Sequence, residues 1–231
     1  MKKLFLALGM IIVSTAFFSC SKGSGSGGSV TPVAKINSYT AVPATINYSG
    51  TPTSGTITLS WNTSNGTSIM FDNTPVGAID SKITPVLFES KTFTLSVTDA
   101  KGVVVQDSKT VVVNIDPTFE KMCGKTGQGW KFISKTAQPI TGGSTIEFLQ
   151  ADDRDNIYTM YPNASWKVDY GAIAPGPTES SEFKFYPESM TMLQKEYSIQ
   201  PTRVVSFPNS NTMVWKYSKN NFNIVETLIK E

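Results

Sequence analysis

Few side chains in this sequence have the types and spacing that catalysis requires. The 231 residues contain no histidine, which excludes Ser-His-Asp and Cys-His nucleophilic catalysis and histidine-ligated zinc sites. What remains for an enzyme is a pair of carboxylates of the kind that glycosidases use, but no motif singles out such a pair. We therefore expect no enzymatic activity, no catalytic residue and no cofactor.

Cys20 is the residue whose chemistry is best defined by its neighbours. It follows a Lys-Lys start, an apolar run over residues 4–18 and a small serine, the pattern of a cleaved secretory signal too short to span a bilayer. The Phe-Phe-Ser-Cys ending resembles the lipobox of bacterial lipoproteins, which implies that Cys20 receives a diacylglycerol and becomes the mature N-terminus. An ordinary secretory signal cut nearby is the alternative.

The lipobox resemblance places the protein in the cell envelope, held by its N-terminal lipid in the outer membrane, with the periplasmic or surface face left open. Loss of residues 1–19 removes two of the 20 Lys and Arg residues and leaves 18 against 18 Asp and Glu. A neutral chain without a basic cluster lacks the electrostatic footprint of nucleic-acid binding. With Cys20 acylated, Cys123 is the single remaining thiol, which we expect to be buried and inert.

The mature chain divides into a tether and two all-β regions. Residues 20–34 are rich in Gly and Ser and predict a flexible tether behind the lipid. Residues 35–116 show short strands with period-two alternation, which predicts a β-sandwich with Trp61 in its core. The predicted strands of this region are 56–61, 68–71, 92–97, 103–105 and 110–113.

The first region resembles the immunoglobulin-like and PKD-type modules of bacterial surface proteins. The matching segments are TITLSWNTSN, KTFTLSVTDAKG and KTVVVNI. No cysteine pair flanks Trp61, so the disulfide of antibody domains is absent. The resemblance implies a spacer domain.

A second all-β region is expected over residues 117–231, because proline at 117 restricts the residue before it and cannot extend a ladder. A short helical turn at 118–123 precedes the strands, and residues 156–161 and 165–170 flank a turn as a hairpin. An antiparallel meander of seven or eight strands tends to close into a barrel or to curl around a cup. Further strands are predicted at 130–133, 182–186, 189–193, 202–207, 212–217 and 222–229.

Aromatic residues of this second region are the main lead to a binding site. Trp and Tyr rings stack on the C–H faces of sugars, and an apolar pocket with a few polar groups suits a small ligand. The same residues could simply fill the barrel. The candidate ligand-binding residues are Trp130, Tyr158, Trp166, Tyr170, Trp215 and Tyr217.

An acidic turn offers a second candidate site. Asp152, Asp153, Asp155 and Asn156 supply oxygen atoms of the kind that Ca²⁺ prefers. The turn lacks the glycine and the distal glutamate of an EF-hand loop, and a polar turn before a strand explains it equally well. We therefore assign no metal site.

The second region resembles the lipocalin-like C-terminal domains of Bacteroidota lipoproteins encoded with polysaccharide-uptake systems. The matching segments are CGKTGQGWKF at 123–132, DNIYTMYPNASWKVDYG at 155–171 and EYSIQPTRVVSF at 196–207. The resemblance implies a polysaccharide or oligosaccharide ligand and an outer-membrane transporter as partner.

Three hypotheses for function follow from these features. The first is a non-catalytic lipoprotein that binds glycan or assists polysaccharide uptake. The second is a carrier of a small apolar ligand such as a lipid, and the third is a structural envelope protein whose partner is another protein. A groove open along its length favours glycan, and a closed cup favours the enclosed ligand.

Overall fold

The computed structural model describes residues 31–151, 153–173, 175–194 and 202–231. Strands make up 57% of the structure and helix 4%, so the all-β prediction is confirmed. Residues Pro32–Glu231 form one compact unit. Within the described ranges, no helix is both long and apolar enough to cross a membrane. The predictions that concern the signal at 1–19, Cys20, the tether up to residue 30, Asp152 and residues 195–201 lie outside the described residues.

The N-terminal half is a β-sandwich of a three-stranded and a five-stranded sheet. Trp61 in the first sheet stacks on Phe71 in the second at a centroid distance of 5.3 Å, and its indole N–H donates to the Gly77 carbonyl at 2.9 Å. The predicted core position of Trp61 is therefore confirmed. The strands are β1 (Lys35–Val42), β2 (Thr45–Tyr48), β3 (Thr58–Ser64), β4 (Ser68–Phe71), β5 (Thr74–Pro75), β6 (Ile79–Ile83), β7 (Lys91–Thr98) and β8 (Val104–Ile115), in the orders β1-β3-β6 and β2-β8-β7-β4-β5.

Strand β8 corrects one prediction. The segments 103–105 and 110–113 were expected as two strands, but they belong to a single strand of 12 residues. The polar residues between them stay in register with β7, where Asp107 pairs with Leu95 and the Ser108 hydroxyl bonds the Thr94 hydroxyl at 3.0 Å. Four consecutive polar residues, 106–109, therefore interrupt the apolar pattern without ending the strand, and Val103 lies just before it.

The C-terminal half is a closed antiparallel barrel of eight strands, as expected for the meander. The ring closes because the last strand pairs with the first, from Phe222 opposite Pro139 to Lys230 opposite Trp130. Strand alternation then places every second side chain inside the ring. The strands are β9 (Gln128–Pro139), β10 (Ile146–Glu147), β11 (Ile157–Met160), β12 (Ser165–Asp169), β13 (Glu179–Tyr186), β14 (Thr191–Gln194), β15 (Arg203–Asn209), β16 (Thr212–Lys219) and β17 (Phe222–Lys230); β10 pairs only with β9, outside the ring.

A short helix, α1 (Pro117–Cys123), links the two halves where the helical turn was predicted. Its start is fixed by Asp116, whose carboxylate accepts the backbone N–H groups of Thr118 and Phe119 at 2.8 and 3.0 Å. Proline suits the first helical position because it has no N–H to satisfy there. The helix therefore begins at a sharply defined residue.

Helix α1 closes one end of the barrel. Its residues Phe119, Met122 and Cys123 are fully buried. The Phe119 ring lies 5.9 Å from that of Phe183 and 5.7 Å from that of Phe185. Cys123 is fully buried, so the prediction of a buried cysteine is confirmed, and this burial raises the pKa of its thiol to about 12.

The sandwich packs directly against the barrel. The backbone N–H of Phe185 donates to the Gly50 carbonyl at 2.7 Å. Gly50 has a φ of +93°, and a Cβ there would collide with the Phe185 backbone, so only glycine fits. Phe88 stacks on Tyr161 at 6.0 Å. The two halves thus share a packed junction, and the domain boundary at residues 116–117 stays a prediction.

Replacement of Phe119 by alanine tests the role of α1 as the end plug. We expect Phe119→Ala to lower the free energy of unfolding by about 3–5 kcal/mol, because a fully buried ring leaves a cavity. Urea denaturation of a fragment comprising residues 31–231 measures the change. Ile140→Ala, at a residue that is 55% exposed, should change it by less than about 0.5 kcal/mol; equal losses for both variants would contradict the assignment.

Candidate ligand-binding cavity

The barrel interior contains a cavity of about 430 Å³. It lies toward the end remote from α1, where Glu179 begins β13 and Lys219 ends β16. This volume falls within the range of small-molecule sites, about 300–1,000 Å³. The lining residues are Phe132, Lys135, Tyr158, Trp166, Val168, Tyr170, Glu179, Arg203, Trp215, Lys219 and Glu226.

Four aromatic rings form a connected wall of this cavity. Phe132 lies edge-on to Tyr158 at 4.9 Å and to Trp215 at 5.7 Å. Tyr158 in turn lies 6.5 Å from Trp166. The structure therefore brings together three residues named from the sequence, Tyr158, Trp166 and Trp215, and adds Phe132. The ring edges and faces offer an apolar surface for a flat or chain-like ligand.

Tyr170 and Tyr217 hold different positions around the cavity. Tyr170 belongs to the lining, as expected. Tyr217 lies behind the lining, where its hydroxyl donates to Glu226 Oε1 at 3.1 Å and its ring lies 4.8 Å from the Arg203 guanidinium carbon. Tyr217 therefore supports a charged group of the wall.

Trp130, also named from the sequence, belongs to the barrel floor. It is fully buried, and its indole N–H donates to the Met122 carbonyl of α1 at 2.7 Å. The Lys230 ammonium lies 5.8 Å from its ring. Trp130 thus joins the helix to the barrel and is outside the cavity lining.

A buried ion pair in the cavity wall was not found from the sequence. Arg203 of β15 and Glu226 of β17 lie with Nε and Oε2 3.9 Å apart, and each side chain is 8% exposed. This separation permits charge attraction but exceeds hydrogen-bond distance. The Arg203 guanidinium also lies 5.5 Å from the Trp215 ring, so it faces aromatic surface on one side.

Alternation along two strands carries a signal for this pair. Arg203 is in phase with the buried Val205 on β15, and Glu226 is in phase with the buried Leu228 on β17. A charged residue at an inward position of a barrel strand is costly without a partner. Both residues are therefore recognisable once the inward face is known, but their pairing requires the strand order.

Burial alters the protonation of the groups around the cavity. Desolvation raises the pKa of Glu226, although the nearby charges of Arg203 and Lys135 act in the opposite direction. Burial also raises the pKa of Tyr158 to about 12, so its hydroxyl keeps its proton at physiological pH. The wall therefore presents a neutral phenol beside a carboxylate that gains a proton more easily than an exposed one.

Several buried polar atoms of the wall have no hydrogen-bond partner within the described part of the chain. The unpaired donors are the indole N–H groups of Trp166 and Trp215 and the Nε and Nη1 groups of Arg203. The unpaired acceptor is Oε2 of Glu226. Each unpaired buried polar group costs about 1–3 kcal/mol of stability. Packing of the barrel alone therefore does not explain why these polar side chains lie in its wall.

The acidic turn makes contacts within the protein. Asp153 forms an ion pair with Lys135 at 3.0 Å, while Asp155 and Asn156 each accept a backbone N–H. Asp152 lies outside the described residues. Among the residues that are described, no three carboxylates or thiols gather as a metal site would require.

Removal of one partner of the ion pair should destabilise the barrel in a pH-dependent way. We expect Arg203→Met to cost about 3–5 kcal/mol at pH 8, because Glu226 is then buried without a counter-charge. The raised pKa of Glu226 means that the native state binds the proton more tightly than the unfolded state. The contribution of Glu226 to the free energy of unfolding is therefore greatest below the ordinary carboxyl pKa, and it is lost as the pH rises through the raised pKa of the native state.

Urea denaturation at pH 4.5 and pH 8 measures this dependence, and the cost of Arg203→Met should be smaller at pH 4.5. The double variant Arg203→Met with Glu226→Leu should recover most of the loss, since an apolar pair of similar volume replaces the buried charges. A cost that is independent of pH, or a double variant no more stable than the single one, would show that the pair is not coupled.

Comparisons with known proteins add a structural likeness. The chain matches no protein-family model. No curated protein is similar to it in sequence. Among solved structures, it is similar to the crystal structure of a lipoprotein from Bacteroides thetaiotaomicron, at 10% sequence identity and a TM-score of 0.27, over 81% of this chain and 94% of that chain. Because this TM-score is low, we interpret the cavity from its own residues.

Proposed function

We propose that this protein is a non-catalytic, lipid-anchored protein of the cell envelope that binds a small molecule inside its C-terminal barrel. The observation that carries the proposal is the cavity of about 430 Å³ inside a closed barrel. Aromatic rings line it, and its lining residues Trp166, Arg203 and Trp215 carry buried donors without partners in the described part of the chain. A barrel of eight strands is wide enough to hold one small ligand. Small-molecule sites are usually concave cavities of this size, lined by aromatic and apolar side chains with a small number of polar groups.

Closure of one barrel end by α1 favours the carrier hypothesis over binding along a polysaccharide chain. A polymer needs a groove that is open at both ends, whereas α1 fills one end of this barrel with Phe119 and Met122. A monosaccharide, a disaccharide or the end of a chain would still fit. The glycan hypothesis therefore narrows to short saccharides, and a role beside an outer-membrane transporter stays an expectation from family resemblance.

Other parts of the chain would position the barrel. Acylation at Cys20 would hold the protein in the membrane, and the tether of residues 20–34 would give it reach. The sandwich would then act as a spacer between the tether and the barrel. Its junction with the barrel includes the hydrogen bond between Phe185 and Gly50 and the stacked rings of Phe88 and Tyr161. Such a junction keeps the barrel in a set orientation on the sandwich.

Blocking the cavity tests the proposed function. N-phenyl-1-naphthylamine, an apolar dye that fluoresces when buried, should bind residues 31–231 with one saturable site. Val168→Phe should abolish binding, because Val168 is 2% exposed and lines the cavity. Val204→Phe is the matched control, because Val204 is 51% exposed on the outer face of the barrel and its substitution should leave binding unchanged.

Native gels with embedded polysaccharides separate the remaining hypotheses. If the dye is displaced by short saccharides, or a glycan retards the protein and Trp166→Ala or Trp215→Ala abolishes the effect, the ligand is a sugar. Absence of saturable dye binding in the wild-type protein, together with no retardation by any glycan, would refute a binding function and favour a structural role.

A further inference from the structure

We infer that the ligand is a small organic acid, with an oxyanion group on an apolar body, and that Arg203 is the residue that recognises the oxyanion. This inference rests on the proposed function, because it assigns the chemistry of the molecule that occupies the same cavity. It follows from an imbalance between donors and acceptors in the wall, from the geometry of Arg203, and from the aromatic surface beside it.

The imbalance favours a ligand that brings acceptor atoms. Within the described wall, four buried donor groups lack partners, on Trp166, Trp215 and Arg203, against one acceptor atom of Glu226. An apolar ligand such as a hydrocarbon would leave all of these donors unpaired, at a cost for each. A sugar would bring hydroxyl groups that donate as well as accept. An oxyanion brings acceptors alone, which is what the wall lacks.

The charge of Arg203 is offset by Glu226, but the Nε and Nη1 groups of Arg203 have no hydrogen-bond partner among the described residues. Glu226 lies close enough to offset the positive charge, yet the distance of 3.9 Å from Nε to Oε2 leaves no hydrogen bond there. The guanidinium is held in place by aromatic neighbours, with its central carbon 5.5 Å from the Trp215 ring and 4.8 Å from the Tyr217 ring. The Nε and Nη1 groups, which have no hydrogen-bond partner within the described part of the chain, can each donate a charge-assisted hydrogen bond to an oxyanion.

Charge around the cavity also suits an anion. The lining includes three cationic side chains, Arg203, Lys135 and Lys219, against Glu179 and Glu226. Lys135 is already engaged with Asp153 at the rim. Burial raises the pKa of Glu226, so a second negative charge entering beside it would promote its protonation and reduce the repulsion.

The remaining wall accounts for the apolar body of the ligand. Phe132, Tyr158 and Trp166 form a connected aromatic surface next to Arg203 and Trp215. A ligand whose oxyanion meets Arg203 therefore places its other atoms against these rings. The cavity volume of about 430 Å³ admits a body of two or three fused or linked rings, or a medium-length chain.

A matched pair of dyes tests the inference. 8-Anilino-1-naphthalenesulfonate and N-phenyl-1-naphthylamine share one aromatic skeleton and differ by an oxyanion, and both fluoresce when buried. We expect the wild-type fragment of residues 31–231, which contains the whole compact unit, to bind the sulfonate at least about tenfold more tightly than the neutral dye, because hydrogen bonds to a charged group are the stronger kind.

Two variants assign the preference to Arg203. Arg203→Met combined with Glu226→Leu should lose the preference for the sulfonate over the neutral dye, since it removes the guanidinium without leaving a buried charge behind. Lys216→Met removes one positive charge from an exposed position on the outer face of β16 and should leave the preference intact. Retention of the fold in the double variant is verified by its cooperative urea transition.

The outcomes distinguish this inference from the proposed function. Equal affinities for the two dyes in the wild-type protein, or a preference that survives in the double variant, would overturn the assignment to Arg203 while leaving the binding function in place. Sulfonate binding that persists in Val168→Phe would come from the protein surface and would also overturn it. Failure of both dyes to bind would refute the inference and the proposed function together.

Discussion

Pairing between β9 and β17 is the interaction on which the rest of the C-terminal half depends. Nine residues of β17, from Phe222 to Lys230, lie opposite residues of β9 and turn a meander into a ring. Closure leaves no exposed sheet edge in that ring, and it gives the interior a fixed set of inward side chains. Without this pairing the same strands would form an open sheet, and the aromatic residues would line a surface.

The barrel interior has two parts: an apolar floor next to α1 and a cavity wall that contains charged side chains. Near α1 the side chains of Phe119, Met122, Phe183 and Phe185 are fully buried and apolar, as expected for a core that only has to be filled. Farther along the barrel, Arg203 and Glu226 replace apolar residues at inward positions. Buried ion pairs contribute little or nothing to stability compared with apolar residues of similar volume, so stability alone does not explain why this part of the barrel is charged.

Local patterns predicted most strands of the barrel and much of the wall, but strands β1, β2 and β6 of the sandwich were not among the predicted ones. Trp166 and Trp215 lie inward because the alternation along β12 and β16 places them there, and the hairpin with Met160 opposite Trp166 follows from its turn. The unbroken strand β8 was missed because four consecutive polar residues, 106–109, interrupt the apolar pattern on both faces without interrupting the hydrogen bonds.

Relations between distant strands were beyond reach of the sequence. Arg203 and Glu226 come close because their strands, β15 and β17, both pair with β16 in the ring. No local pattern in the sequence encodes that strand order. Trp130 is aromatic like the cavity residues, but it lies outside the cavity lining, where its indole N–H donates to the Met122 carbonyl of α1. Composition therefore indicated which half of the chain carries the aromatic residues. Which of them line the cavity and which pack against α1 depends on the three-dimensional arrangement of the strands and the helix.

Closure of one barrel end by α1 also affects how a bound molecule could be exchanged. With Phe119 and Met122 filling that end, a molecule bound as proposed would enter and leave at the opposite end, where Glu179 and Lys219 line the cavity in the described part of the chain. A donor and an acceptor of the molecule cannot then engage the protein from opposite sides at once. Binding and release would then be successive events at one end of the barrel, and the rate of exchange would depend on access to that end.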